Sequence, residues 1–224
     1  MKDHRRDSFV LSFTVGLIGV TFGVFAESSG FGLLKALLLS LLTFTGASQF
    51  AAVSVVGGGG SAFAAVASGL LLAARNSLYG PVVAPVLQIR RSRRALAAHF
   101  VIDETTAMLS AQKDSEVACD AFWFTGLWLF AFWNVGTVVG VLAGGLLEDP
   151  GVWGLDAAFP AAFVSLLMPH VRSRPGQVTA VLGAVITIVV VPFTPAGAPM
   201  LLAAMAVGPG LWIQRREESG SDSK

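Results

Sequence analysis

The sequence predicts an all-α polytopic membrane protein, a helical bundle of about six to eight hydrophobic segments in which a crossing needs about 20 apolar residues. Three observations carry this. Hydrophobic residues make up 54% of the 224 and charged residues 13%, where soluble domains run at about 25% charged. The mean hydropathy is +0.71. The charges cluster in short connecting stretches, with long apolar runs between them. The net charge of +1 leaves no basic surplus for nucleic acid, and the expected surroundings are the lipid bilayer.

The first segment, Phe9 to Ala26, follows the basic head "MKDHRRDS". It is longer than the h-region of a secretory signal, about 7 to 15 residues, and no A-x-A site follows, which predicts a retained first helix. The other apolar segments are Leu33 to Val56, Ser61 to Leu87, Ala95 to Leu109, Ala121 to Leu147, Asp156 to Met168, Val178 to Phe193 and Ala198 to Ile213. Gly/Pro clusters such as "VVGGGGSA", "LEDPGVWG" and "FTPAGAPM" fall between them, so the loops are tight. This predicts one transmembrane domain over 1–213 and a polar, disordered tail over 214–224.

Arginine and lysine in short loops set the orientation. Lys2, Arg5 and Arg6, then Arg172 and Arg174, then Arg215 and Arg216 predict cytoplasmic N- and C-termini, with "AQKDSEVACD" inside and "EDPGVWG" outside. The loop "QIRRSRR", Gln88 to Arg94, is the difficulty. A full crossing by Ser61 to Leu87 places it outside, whereas a turn back near Asn76 to Pro81 keeps it cytoplasmic, which is the expectation the charge rule favours. A weak echo between "GVTFGVF" with "GFGLLKALLLSLL" and "VGTVVGVLAGG" with "VWGLDAAFPAAFVSLL" is what an internal duplication would leave, and it favours full crossings. Gly16, Gly19 and Gly23, and then Gly136, Gly140 and Gly144, are spaced for close helix packing.

Enzyme signatures are absent. There is no HExxH, no GxSxG, and no Lys-Ser or Lys-Thr after the "GGGG" of Gly57 to Gly60, so metalloprotease, hydrolase and P-loop readings have no support. The single cysteine, Cys119, excludes an internal disulfide. His99 and Asp103, four apart, supply at most two ligands to a metal. No cofactor is implied.

What remains is a set of polar residues within apolar segments: Gln49, Arg75, Asn76, His99, Asp103, Glu104, Asn134 and Asp156. A charge at the bilayer centre costs about 2.5–3.5 kcal/mol on the insertion scale, so such residues pair or line an aqueous path. For Asp103 a place on an aqueous path is favoured over a purely structural ion pair with Arg75, and Asp156 also reads as a helix N-cap.

The ordered set "SLLTFTGASQFAAV", "RNSLYGP", "IDET" and "GLDAAFPAAFVSLLMP" resembles the AzlC-like branched-chain amino-acid permeases, over nearly the whole chain. The family pattern has an Asn two places before the Arg and a His after it, where this chain has Ala73 and Asn76. The resemblance implies a secondary transporter, not an enzyme, in the plasma membrane. It would export leucine, isoleucine and valine together with a small hydrophobic AzlD-like membrane subunit. Alternatives from the residues alone are an exporter of another small organic solute and a non-transporting scaffold subunit.

A zwitterionic amino acid needs a carboxylate site, an ammonium site and an apolar pocket, and broken helices supply the first through free N–H groups. The interrupted segments "TGASQF" and "RNSLYGP" therefore place the substrate between Gln49, Arg75, Asn76 and Asp103. Proton coupling falls to Asp103, Glu104, His99 and Asp156. On one continuous helix His99, Asp103 and Thr106 would form a polar stripe, with Glu104 rotated about 100° away.

Overall fold

The computed structural model describes residues 3–146, 164, 167–168 and 170–221. Its elements are α1 (Asp3–Ser28), α2 (Gly32–Leu42), α3 (Gly46–Gly57), α4 (Ala62–Ala73), a 3₁₀ turn (Ala74–Tyr79), α5 (Gly80–Leu87), α6 (Arg94–His99), α7 (Asp103–Ser110), α8 (Ser115–Gly144), α9 (Arg174–Val190), α10 (Ala198–Ala203) and α11 (Val207–Ser221). No strand occurs among the described residues. Four stretches are long and apolar enough to cross a membrane: Asp3–Ser28, Ala62–Leu87, Ser115–Gly144 and Arg174–Phe193. Asp156 and most of its segment lie outside the described residues.

The centre is the parallel pair α1 and α8. A Cβ on Gly19 would stand 2.8 Å from the Trp133 carbonyl oxygen, and one on Gly140 would overlap the Val20 carbonyl oxygen. Only glycine lets the two backbones approach this far. Thr125 donates to Ser8 Oγ at 2.8 Å, and Ser12 donates to the Thr125 carbonyl at 3.2 Å. At the N-terminal end Asp120 accepts from Arg5 Nε at 2.7 Å and faces His4 Nε2 at 2.7 Å. At the far end Glu27 lies against Gly144. Gly19 and Gly23 face Gly136 and Gly140, so the glycines of the first part of the sequence echo meet across one interface. The second part of the echo extends beyond the described residues.

Leu33 to Val56, expected as one span, does not cross. The chain breaks at Thr43–Thr45, and α3 returns to the end that α2 left, where Gly57 packs on Ser29. Along α8 this hairpin covers only the half from Glu27 and Gly144 down to Trp133, beside which Gly46 sits. A second hairpin, α6–α7, enters from the opposite end and breaks at Phe100–Ile102. Its Thr105 packs near Gly126. The tips meet: the Phe44 ring lies 5.7 Å from Phe100 and 5.1 Å from Phe130.

The expected turn back near Asn76 to Pro81 is also corrected. Residues 62–87 run as one helical stretch through the 3₁₀ turn, with Ala74 and Gly80 both right-handed helical. Pro81 and Pro85 remove two backbone donors, and the turn preceding Pro81 tightens without reversing the chain. The stretch ends at Gln88, which adopts φ 43. The loop "QIRRSRR" nonetheless reaches the Arg5 end, because Ile89, Arg90 and Arg93 share a cavity with Trp123, close to Asp120 in α8. The reversal that puts it there is made earlier, by α2–α3.

Helix α9 and the α10–α11 stretch form an antiparallel pair, with Gly210 packed on Thr179. Their connection at Ala196–Gly197 rests against Gly58, Gly60 and Val55. The expected disordered tail is helical as far as Ser221.

This arrangement predicts paired accessibility. In a Cys119→Ser background, Ser92→Cys and Asp3→Cys should react with an impermeant thiol reagent from the same side of the membrane, and Ser28→Cys from the other. Reaction of positions 92 and 28 from one side would contradict the crossing by 62–87.

Candidate functional site

Both hairpin breaks leave helix N-termini in the protein interior, where the first N–H groups of a helix have no intrahelical partner. At the first break, Thr45 is extended (φ −155, ψ 101) and precedes Gly46 and Ala47. Gln49, fully buried, holds the break closed: its Nε2 donates to the Thr43 carbonyl at 2.5 Å, and its Oε1 accepts from Trp133 Nε1 at 2.9 Å. At the second break, Ile102 is extended, and buried Thr105 donates to the Phe100 carbonyl at 2.6 Å.

Between these N-termini lies a cavity of about 280 Å³. Its polar wall is Thr45, Gly46, Ala47, Arg75, Asn76, Asp103 and Glu104, and its apolar wall includes Val15, Ile18, Phe50, Leu129 and Trp133. The volume is near the lower end of the range for small-molecule sites, about 300–1,000 Å³.

The two acids of "IDET" differ sharply. Asp103 Oδ2 pairs with Arg75 Nη2 at 2.7 Å, and its Oδ1 accepts from Tyr79 at 2.5 Å. Arg75 and Tyr79 are four residues apart in the 3₁₀ turn and together clamp one carboxylate. Glu104 lines the cavity with no ion pair and no hydrogen bond from another side chain among the described residues. Arg75 Nε and Asn76 Oδ1 are buried without a partner, so the wall keeps one donor and one acceptor unused.

Of the sequence-predicted residues, Arg75, Asn76, Asp103 and Glu104 come together. Gln49 does not face the cavity; each end of its amide has a protein partner, and it acts as a brace. His99 is also displaced. The helix expected to carry His99, Asp103 and Thr106 on one face is broken at Phe100–Ile102. The His99 ring sits instead among Phe44, Phe100 and Phe130, 5.9 Å from the first. Asp156 lies outside the described residues. Among the described residues no three His, Cys, Asp or Glu gather as metal ligands.

Sequence reasoning missed Tyr79, Thr105 and Trp133. Tyr79 carried a signal, being the single tyrosine of the chain and one helical turn from Arg75.

A family model described as AzlC protein matches residues 10–147, which include every residue of this cavity. A membrane protein of Archaeoglobus fulgidus is 32% identical over 75% of this chain and 77% of its own length. One from Helicobacter pylori is 29% identical over 82% and 83%. The inner membrane protein YgaZ of Escherichia coli is 28% identical over 75% and 72%. No solved structure matches.

Breaking the clamp should cost stability as a unit. Arg75→Met and Asp103→Asn should each lower the unfolding midpoint in detergent, and the double variant should fall short of additivity by about 0.5–3 kcal/mol, as for residues in direct contact. Full additivity would mean that the pair carries no coupling.

Proposed function

The chain belongs to the AzlC family, and from that premise we propose that it is a secondary transporter exporting leucine, isoleucine and valine across the plasma membrane, with both termini cytoplasmic. Its multi-pass helical architecture and its membrane-protein relatives agree with a transport role. The observation that carries the finer reading is the polarity of the cavity. At one end the N-terminus of α3 offers N–H groups and no acid; at the other the N-terminus of α7 carries Asp103 and Glu104. A helix N-terminus favours a carboxylate. A first turn bearing two acids, only one of them clamped by Arg75, favours an ammonium. Val15, Ile18, Phe50 and Leu129 supply an apolar lining for a branched aliphatic side chain.

Glu104 is assigned the coupling role in place of Asp103. Arg75 and Tyr79 together occupy both carboxyl oxygens of Asp103, so it serves as a fixed counter-charge to Arg75. Glu104 has no such donors. A carboxyl that holds either a proton or the substrate ammonium, and never both, is the least machinery an exchanger requires. The proton leaves as the ammonium arrives and returns after the substrate departs.

The test is pH-gradient-driven leucine flux in proteoliposomes. Glu104→Gln should lose gradient-driven flux by about tenfold or more, the size expected for losing one charge-assisted contact. Asp103→Asn should lower flux in parallel at all pH values and leave the pH dependence in place. A flat pH profile from Asp103→Asn with a normal one from Glu104→Gln would reverse the assignment.

The small hydrophobic partner subunit is part of the proposal. Helix α9 has no buried residue among those described, and Val181 and Ile188 are 62% and 73% exposed. Expressed alone, the chain should give no resistance to toxic leucine analogues, and the partner should restore it. Full resistance without a partner would contradict the two-component reading.

A further inference from the structure

The transport cavity makes no use of the most basic part of the chain. Arg90, Arg91, Arg93 and Arg94 follow α5, all four are exposed, and none forms an ion pair among the described residues. Two concave spaces meet there. One, of about 530 Å³, is lined by Ile89, Arg90, Ser92, Arg93 and Trp123. The other, of about 500 Å³, runs between α5 and α6 from Gly80 past Val83 and Leu87 to Ala97 and Val101. Ile89 lines both, so the cationic space and the apolar groove adjoin at this residue.

We propose that this continuous site binds one anionic phospholipid, with the headgroup phosphate held by Arg90 and Arg93 and an acyl chain lying along α5. The charge is complementary: guanidinium groups without carboxylate partners recognise phosphate oxygens, and basic recesses at helix ends take acidic headgroups. Trp123 stands where an interfacial aromatic anchors at headgroup level. The groove also selects the occupant by size. It follows the eight residues of α5, about 12 Å of helix, and a helix about 10 Å across would need more room over that length. An extended acyl chain needs less. The small residues Gly80, Ala84, Ala97 and Ala98 leave that space open, and a Cβ on Gly80 would meet nothing within 4 Å.

The experiment is native mass spectrometry of the delipidated full chain in detergent, titrated with phosphatidylglycerol, phosphatidylcholine of the same acyl chains, and glycerol phosphate. Phosphatidylglycerol should bind at lower concentration than phosphatidylcholine, and glycerol phosphate should not compete at matched concentration, because the chain contributes to affinity. Near an anionic lipid each basic residue is worth about fivefold, so Arg90→Ala/Arg93→Ala should weaken phosphatidylglycerol binding by about 25-fold. Arg90→Lys/Arg93→Lys should retain most of it, and Arg172→Ala/Arg174→Ala, at arginines outside the groove, should retain all. Gly80→Leu should weaken both phospholipids. Equal binding of the two phospholipids, or an unchanged preference in Arg90→Ala/Arg93→Ala, would overturn the proposal. So would full competition by glycerol phosphate, or protection of this groove by a co-expressed membrane subunit that lipid cannot displace.

Discussion

Everything in this fold hangs from the contact between α1 and α8. Inside a bilayer apolar side chains gain nothing by meeting one another, since lipid is as apolar as leucine, and association relies on close packing and interhelical hydrogen bonds. The pair uses both. Gly16, Gly19 and Gly23 meet Gly136 and Gly140 where any side chain would collide with backbone, while Ser8, Ser12 and Thr125 form a buried hydrogen-bonded group. His4, Arg5 and Asp120 then fasten the end where water can reach. The result is a rigid two-helix post with a continuous side on which Thr137, Trp133, Phe130 and Gly126 succeed one another. Both hairpins hang on that side: Ser40 pairs with Thr137 at 3.3 Å, Gln49 with Trp133, and Thr105 lies against Gly126.

The hairpins in turn explain why polar residues persist in apolar segments. Breaking a helix at membrane depth exposes carbonyl and N–H groups that lipid cannot satisfy, and this is tolerated only where the protein itself supplies partners or a cavity. Gln49 answers the Thr43 carbonyl and Thr105 answers the Phe100 carbonyl. Gly46 and Ala47, at a helix start whose first N–H groups have no intrahelical partner, line the cavity instead. One set of polar side chains therefore maintains the architecture, and residues whose backbone groups it leaves unanswered line the cavity.

Composition and segment length made the membrane bundle legible, and the spacing of Gly16, Gly19 and Gly23 announced close packing before any partner was known. The Arg75–Asp103 pair was legible only as the alternative to an aqueous-path role for Asp103, since opposite charges in apolar runs either pair or line such a path. The location of the breaks was not. Pro81 and Gly80 look like a turn but only tighten a helix that continues, whereas Phe100–Ile102 contains neither Gly nor Pro and still breaks. The difference is partly local, since Thr105 bonds back to Ile102 and Phe100, and partly tertiary, since the Phe44–Phe100–Phe130 cluster packs around the second break and no local propensity encodes it. The same holds for Gln49, whose polarity was visible and whose partner, Trp133, was 84 residues away.

Two adjacent acids with different surroundings carry a further consequence. Asp103 is tied to the 3₁₀ turn of the crossing helix, while its neighbour Glu104 lines the same cavity as the N-terminus of α3, and the two hairpins are anchored at opposite ends of the post. A ligand that touches only one hairpin leaves the other where it was. On the proposed reading a zwitterion of matching length would touch both, and its binding energy would bear on the contact the tips already make through Phe44 and Phe100. Differential contact of this kind is the condition under which a ligand shifts a conformational equilibrium at all. On that reading the tip-to-tip half-hairpins would place recognition and movement on the same few residues, with the clamp fixing Asp103 and leaving its neighbour Glu104 unclamped.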